Sequence, residues 1–164
     1  VRGFTPKYGK NCFFAENATL IGEVIMGDDC SVWYQAVVRG DVNTISMGDR
    51  VNIQDGAVIH GTFEKSATTI GNDVSIGHNA IVHGCTIHDR VLVGMGSIIM
   101  DDSVVGSNSI IAAGSVLPKN TIVPEGSVFA GIPAKKIKEI SPELQQGEIE
   151  RIAANYIEYA SWFR

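Results

Sequence analysis

The residues best suited to chemistry are concentrated between positions 53 and 85. There IQDGAVIH (53–60) and, after a short loop, IGNDVSIGHNAIVHGC (70–85) set His60, His78 and His83 among aliphatic residues that recur every six positions. Three imidazoles are the donor set of an open zinc site, in which the fourth position is left to water, and zinc brings the pKa of such a water down to about 7. A lone histidine is more often a hydrogen-bonded corner residue, so the register of the repeat decides whether these three can meet. His88, the fourth histidine, falls outside that register and reads as a surface residue. The three cysteines, Cys12, Cys30 and Cys85, have no CxxC spacing, which argues against a disulfide framework or a cysteine-based zinc site and fits a reducing cytoplasm.

The element that must position the histidines is the repeat itself. Ile87, Val93, Ile99, Val105, Ile111, Leu117, Val123 and Phe129 follow one another at a strict interval of six, and Ser97, Ser103, Ser109, Ser115, Thr121 and Ser127 stand four places after members of that series. Neither the 3.6-residue period of a helix nor the two-residue period of a strand gives this pattern. A hexapeptide β-solenoid does: three hexads make one triangular coil, each aliphatic points inward, and coils stack about 4.8 Å apart. Earlier members are read at Ile21, Met26, Val32 and Val38, then Met47, Ile53 and Ile59, then Ile70, Ile76 and Val82. The intervals Val38 to Met47 and Ile59 to Ile70 are longer and predict loops bulging from the coils, while the step from Val82 to Ile87 is one residue short. Residues 1–17 show no repeat and read as a short leading strand. The fold class is therefore mainly β, with about six to seven coils over residues 1–140. A C-terminal helix over 141–164 is expected to pack on them. Ser141-Pro142 has the form of an N-cap followed by proline at the first helical position, and Ile149, Ile152, Ala153, Tyr156, Ile157, Ala160 and Phe163 mark one apolar face. Hexapeptide proteins with this signature resemble one another in being left-handed parallel β-helices.

Register arithmetic sorts the candidate ligands. Arg39, His60 and His83 each follow the inward aliphatic that closes a coil, so they stack at one corner. His78 lies two places after Ile76, above Asp55, two places after Ile53. One hexad spans roughly 20 Å of extended chain, so His78 cannot reach the other two within its own coil stack. If all three hold one ion, His78 comes from a neighbouring chain. The residues preceding the inward aliphatics, Leu92, Ile98, Val104, Ile110, Val116, Ile122 and Val128, place apolar groups outside all three faces of the later coils. The helix covers one face, and a threefold ring of identical chains is the expected cover for the other two.

Composition narrows the partners. At 45% hydrophobic and 19% charged residues the chain reads as a soluble globular protein, and no apolar run reaches the roughly 18 residues of a membrane span. No signal peptide is expected from the first residues. A net charge of -5 argues against nucleic acid and toward small solutes.

VVRGDVNTISMGDRVNIQDGAVIH (37–60), IGHNAIVHGC (76–85) and GIPAKKI (131–137) together make the chain resemble the γ-class carbonic anhydrase family and its bacterial γ-carbonic-anhydrase-like relatives over nearly its whole length. The resemblance implies a homotrimer with three interfacial metal sites, His60 and His83 coming from one subunit and His78 from the next. It implies zinc, with Fe2+ or Co2+ also accepted by such ligands, and reversible hydration of CO2 to bicarbonate. Gln54 matches the residue that orients the reacting water or bicarbonate, Arg39 and Asp41 match an interfacial charged pair, and Asp55 matches a supporting polar residue. Tyr156 matches a tyrosine that approaches the site from the helix. The founding γ enzymes carry a longer acidic loop with a proton-shuttling glutamate. Here the loop is GTFEKSATT and Glu64 is the nearest substitute, which implies slow turnover. An acyltransferase using acetyl coenzyme A, a metal-dependent thioesterase and a non-catalytic assembly subunit remain open alternatives at the level of sequence.

Overall fold

The six-residue period winds the chain into a parallel β-solenoid in the computed structural model, which describes residues 1–163. Each coil has three faces, taken here in chain order. On the first face, strands Phe13–Phe14, Ser31–Val32, Asn52–Ile53, Ser75–Ile76, Val91–Val93, Ser109–Ile111 and Ser127–Gly131 stack in parallel, and their seven levels count the coils. Strand Ala134–Glu139 folds back antiparallel and closes that stack. The second face carries Val58–His60, Ile81–His83, Ile98–Ile99 and Val116–Leu117, and the third carries Thr68–Ile70, Thr86–Ile87, Val104–Val105 and Ile122–Val123. Two long strands, Thr19–Met26 and Val37–Met47, run across the corner between the second and third faces and join them into one sheet.

The aliphatic series fills the interior. Val32, Ile53, Ile76, Val93 and Ile111 form one in-register column with no accessible surface, flanked by equivalent columns from the other faces. Burying each such side chain contributes on the order of 1.5–3 kcal/mol. The hydroxyl series lies inside the corners: Ser97, Ser103 and Ser109 are fully buried and donate to the carbonyls of Ala112, Pro118 and Pro124. Three places after each inward aliphatic the backbone enters the left-handed region, at Arg90, Gly96, Asp102, Asn108, Gly114, Asn120 and Gly126. Glycine, asparagine and aspartate tolerate that conformation. Arg90 and its counterpart Arg50 do so while anchored by hydrogen bonds to the coil above, Arg50 to Asp73 at 2.6 and 2.9 Å and Arg90 to Asn108 at 2.7 Å.

The C-terminal segment starts with Ser141 as its N-cap, the hydroxyl accepting from the Leu144 amide at 3.2 Å. Pro142–Leu144 leads through a π-helical stretch, Gln145–Glu150, into the α-helix Arg151–Ser161. Arg164 in the expected helical unit lies outside the described residues. Leu144 and Ile149 pack with Leu92, Ile110 and Val128 of the later coils. The helix then runs back along the first face to the early coils, where Tyr156 and Phe163 pack on Trp33 at centroid distances of 5.3 and 5.7 Å.

Three details differ from the sequence reading. Residues 1–17 do not form one leading strand; Lys7–Tyr8 and Phe13–Phe14 are already solenoid strands, paired with Thr19–Met26 and Ser31–Val32. The inward residue of the next hexad is Leu20, in register with Val38, and not Ile21, which pairs with Arg39. The long interval after Val38 is no detached loop, because Val37–Met47 remains one strand that carries residues 41–44 opposite Glu23. The excursion after Ile59 is a loop, closed by a bridge between Thr62 and Ser66.

Candidate metal centre

At the corner between the second and third faces, His60 and His83 end adjacent parallel strands and pair directly in register. Their rings approach so that Nδ1 of His60 and Nε2 of His83 stand 3.3 Å apart. The outer nitrogen of each ring meets a carboxylate: His60 Nε2 lies 3.0 Å from Asp41 Oδ1, and His83 Nδ1 lies 2.5 Å from Asp101 Oδ1. Asp41 is also paired with Arg39 at 2.6 Å. Burial raises the Asp41 carboxyl, but hydrogen bonds from Arg39 and His60 outweigh it and hold the group below the usual carboxylate range. Asp101 is pushed the same way by burial, yet bonds from Thr62, His83 and Ser66 bring it to about 2. Buried Thr68 secures the backbone behind the pair, donating to the His60 carbonyl and accepting from the Gly84 amide.

The other candidates gather at the opposite edge of the second face, where the chain enters it from the first. His78 Nδ1 lies 3.0 Å from Asp55 Oδ2, and His78 Nε2 lies 3.5 Å from the Tyr156 hydroxyl. Gln54 is buried beside them, its amide donating to Asn52 Oδ1 at 3.0 Å while Asn52 donates to Ser75 at 2.7 Å. Gln54, His78 and Tyr156 open onto a groove of about 440 Å³ between the coils and the helix, floored by Leu92, Met95 and Ile110. Burial, with help from Asp55 and Tyr159, pushes the Tyr156 phenol up to about 12, so it is protonated at neutral pH. Among the described residues, no group of three or more His, Cys, Asp or Glu side chains is placed to hold a metal ion. The candidate residues form two groups, one on each edge of the second face.

The "Bacterial transferase hexapeptide (six repeats)" family matches residues 84–119, and the "Hexapeptide repeat of succinyl-transferase" family matches 67–100. The carbonic anhydrase of Geobacillus kaustophilus is 40% identical over 99% of this chain and 88% of its own length. The mitochondrial gamma carbonic anhydrase 2 of Arabidopsis thaliana is 40% identical over 95% of this chain, which spans 58% of that longer protein. A hexapeptide transferase family protein from Anaplasma phagocytophilum superposes with a TM-score of 0.89 at 38% identity over the full length of both chains. The chain belongs to the γ-class carbonic anhydrase family.

The fold brings Arg39, Asp41, His60 and His83 to one corner and Gln54, Asp55, His78 and Tyr156 to the other. Glu64 sits at the tip of the 62–66 loop in the left-handed region and lines a shallow pocket with Asp41, Asn43 and Arg2. Sequence reasoning missed the carboxylate of Asp101 and the hydroxyls of Thr62 and Ser66 that hold it, at 2.5 and 2.8 Å. One signal was present: Asp101 falls two places after Ile99 as Gly84 falls two places after Val82, and the pairing of Val82 with Ile99 stacks them. The absent side chain at Gly84 makes the room. A Cβ there would stand 2.9 Å from Asp101 Cγ and 2.4 Å from Ser66 Oγ.

Proposed function

We propose that this chain is a zinc-dependent γ-type carbonic anhydrase that hydrates CO2 reversibly at sites shared between the subunits of a homotrimer. The observation that carries the reading is the 3.3 Å between His60 Nδ1 and His83 Nε2. Two ligands of a tetrahedral zinc with bonds of about 2.0–2.1 Å lie about 3.3–3.4 Å apart, so this corner has the donor type and spacing of half a zinc site. His78 is the matching third ligand, its Nδ1 engaged by Asp55 and its Nε2 in contact, within its own chain, only with the Tyr156 hydroxyl at 3.5 Å. Each imidazole has a carboxylate on the nitrogen facing away from the ion, the arrangement that fixes the ring and raises its basicity.

The trimer is supported by the outer surface of the second face. Val37, Val58, Ile81, Ile98 and Val116 form one in-register aliphatic column there, and the two groups of candidate residues flank it. The first face is covered by the helix. The outward positions of the third are mixed, Ser46, Thr69 and Thr86 standing between Ile25 on one side and Val104 and Ile122 on the other. Turning three copies about the second face would bury the column and set the His60–His83 edge of each against the His78 edge of the next.

Zinc bound there would supply a Lewis acid and make hydroxide available at neutral pH; iron or cobalt would suit the same imidazoles. Around it, Asp41, Asp55 and Asp101 hold the imidazoles in place. Gln54, itself oriented by Asn52, positions CO2 and bicarbonate, and the protonated Tyr156 hydroxyl offers a hydrogen bond beside His78. The Arg39–Asp41 pair forms the wall of the site. Glu64 is the group available to take protons outward, and its loop is short, so proton release limits the rate. The cytoplasm is the compartment this reading assigns, supported by three unpaired thiols at Cys12, Cys30 and Cys85. No helix among the described residues is long and apolar enough to cross a membrane.

A transferase reading draws on the family descriptions, yet the segments matched, 67–100 and 84–119, cover the repeat and assign no role to the histidines. Stopped-flow CO2 hydration by zinc-loaded protein, with and without imidazole as external proton acceptor, tests the proposal. A rate that rises with imidazole is expected. No rate at any imidazole concentration, together with a thermal shift on adding acetyl coenzyme A, would replace the anhydrase with the transferase.

A further inference from the structure

Asp101 belongs to none of the sequence motifs, yet among the described residues it is the one carboxylate that is almost wholly buried, at 7% exposure. Both of its oxygens are committed. Oδ1 faces His83 Nδ1 at 2.5 Å, and Oδ2 accepts from Thr62 Oγ1 at 2.5 Å and Ser66 Oγ at 2.8 Å. A buried charge with three partners costs far less than one with none, so the arrangement persists only while the loop stays docked. Thr62 and Ser66 are the two ends of the 62–66 loop, bridged to each other. Residue 43 joins the same network, Asn43 Nδ2 donating to the Thr62 carbonyl at 3.2 Å.

We infer that Asp101 is a positioning residue that sets the tautomer of His83, leaving Nε2 as the metal-binding nitrogen, and that it makes the order of the 62–66 loop and metal binding depend on each other. The inference rests on the zinc reading of His83. A carboxylate that accepts a hydrogen bond from Nδ1–H fixes which nitrogen is free and strengthens it as a ligand. The same carboxylate can satisfy the ends of the loop only when the loop lies against the corner. Coupling of this kind is reciprocal: whatever favours the docked loop favours zinc, and zinc favours the docked loop by the same factor. Glu64, carried at the tip of that loop, is thereby brought to the site when the ion binds.

The test compares the wild-type protein with Asp101→Asn and with the double variant Thr62→Val/Ser66→Ala. Zinc affinity is read by competition with a chromophoric chelator, and amide hydrogen exchange of residues 62–66 is followed with and without zinc. Asp101→Asn is expected to weaken zinc about 10–100-fold and to abolish the slowing of loop exchange that zinc produces in the wild type. In the double variant, which leaves the Asp101–His83 contact in place, exchange in the loop should become fast while zinc binding weakens less than in Asp101→Asn. The inference is overturned if Asp101→Asn, folded and assembled as the wild type is, binds zinc within about threefold of it, or if zinc leaves loop exchange unchanged in the wild type. A wild-type protein with no zinc affinity overturns the inference together with the anhydrase proposal. A wild type that binds zinc without hydrating CO2 sinks the anhydrase alone, and the Asp101 comparison still decides the inference.

Discussion

Each candidate ligand owes its aim to a carboxylate on its far nitrogen, and the three are not equivalent. His60 and His83 can share an ion within one chain, whereas His78 stands at the other edge of the face with only Asp55 and Tyr156 beside it. His78→Ala should therefore lose zinc by more than the roughly 10–100-fold that removal of an outer partner costs, with the fold intact, as measured by metal content after gel filtration and by far-ultraviolet circular dichroism. Full retention of zinc would mean that one chain holds the ion. Tyr156 gives a pH prediction of definite sign. Its phenol is raised by burial to about 12, so it remains a donor throughout neutral and mildly basic pH. Tyr156→Phe should leave the basic limb of the pH–rate profile between about pH 7 and 10 unmoved, by stopped flow; a limb that disappears in the variant would show that Tyr156 titrates there.

At the scale of elements, the period of six made most of the solenoid legible, because an inward aliphatic every six residues allows only one way to fill a triangular core. The pairing of His60 with His83 was legible for the same reason: each follows an inward residue on adjacent coils. What escaped has identifiable causes. The first coil uses Tyr8 and Phe14, six apart and leading to Leu20 and Met26, so aromatics carry a signal that was sought in aliphatics. Asp101 escaped because the residue it stacks on is Gly84, which has no side chain, and it reaches His83 one position earlier. Its other partners lie in a loop whose path no period dictates. Gly84 is the point where these meet, at a φ of +56° with Ser66 and Asp101 against the space a side chain would take. Gly84→Ala is expected to destabilise the fold by at least about 1 kcal/mol and to weaken zinc by displacing Asp101. Urea unfolding and chelator competition would check both, and unchanged zinc affinity would count against the role given to this corner.

At the scale of the molecule, the second face remains to be covered, while the third, expected from the sequence to need the same cover, mixes Ser46, Thr69 and Thr86 with exposed Ile25 and Ile122. The helix shields the first face, and the column Val37, Val58, Ile81, Ile98 and Val116 on the second is the surface that assembly would bury. Ile81 is 38% exposed in the single chain and points out of the solenoid. Ile81→Glu should change the stability of one chain by no more than about 0.5 kcal/mol but break the trimer and, with it, zinc binding; light scattering after size exclusion reads the first and metal content the second. A mutant that stays trimeric would place the interface elsewhere. The sharing of one site by two chains is tested most directly by complementation. His60→Ala and His78→Ala chains, each unable to build a site alone, are unfolded, mixed and reassembled, and bound zinc is counted. Because a mixed ring contains a single junction where an intact His60–His83 edge meets an intact His78, the account predicts recovery of about one zinc ion per mixed trimer from two metal-free parents. Mixed trimers that bind no zinc, or a lone wild-type chain that keeps its metal, would contradict it.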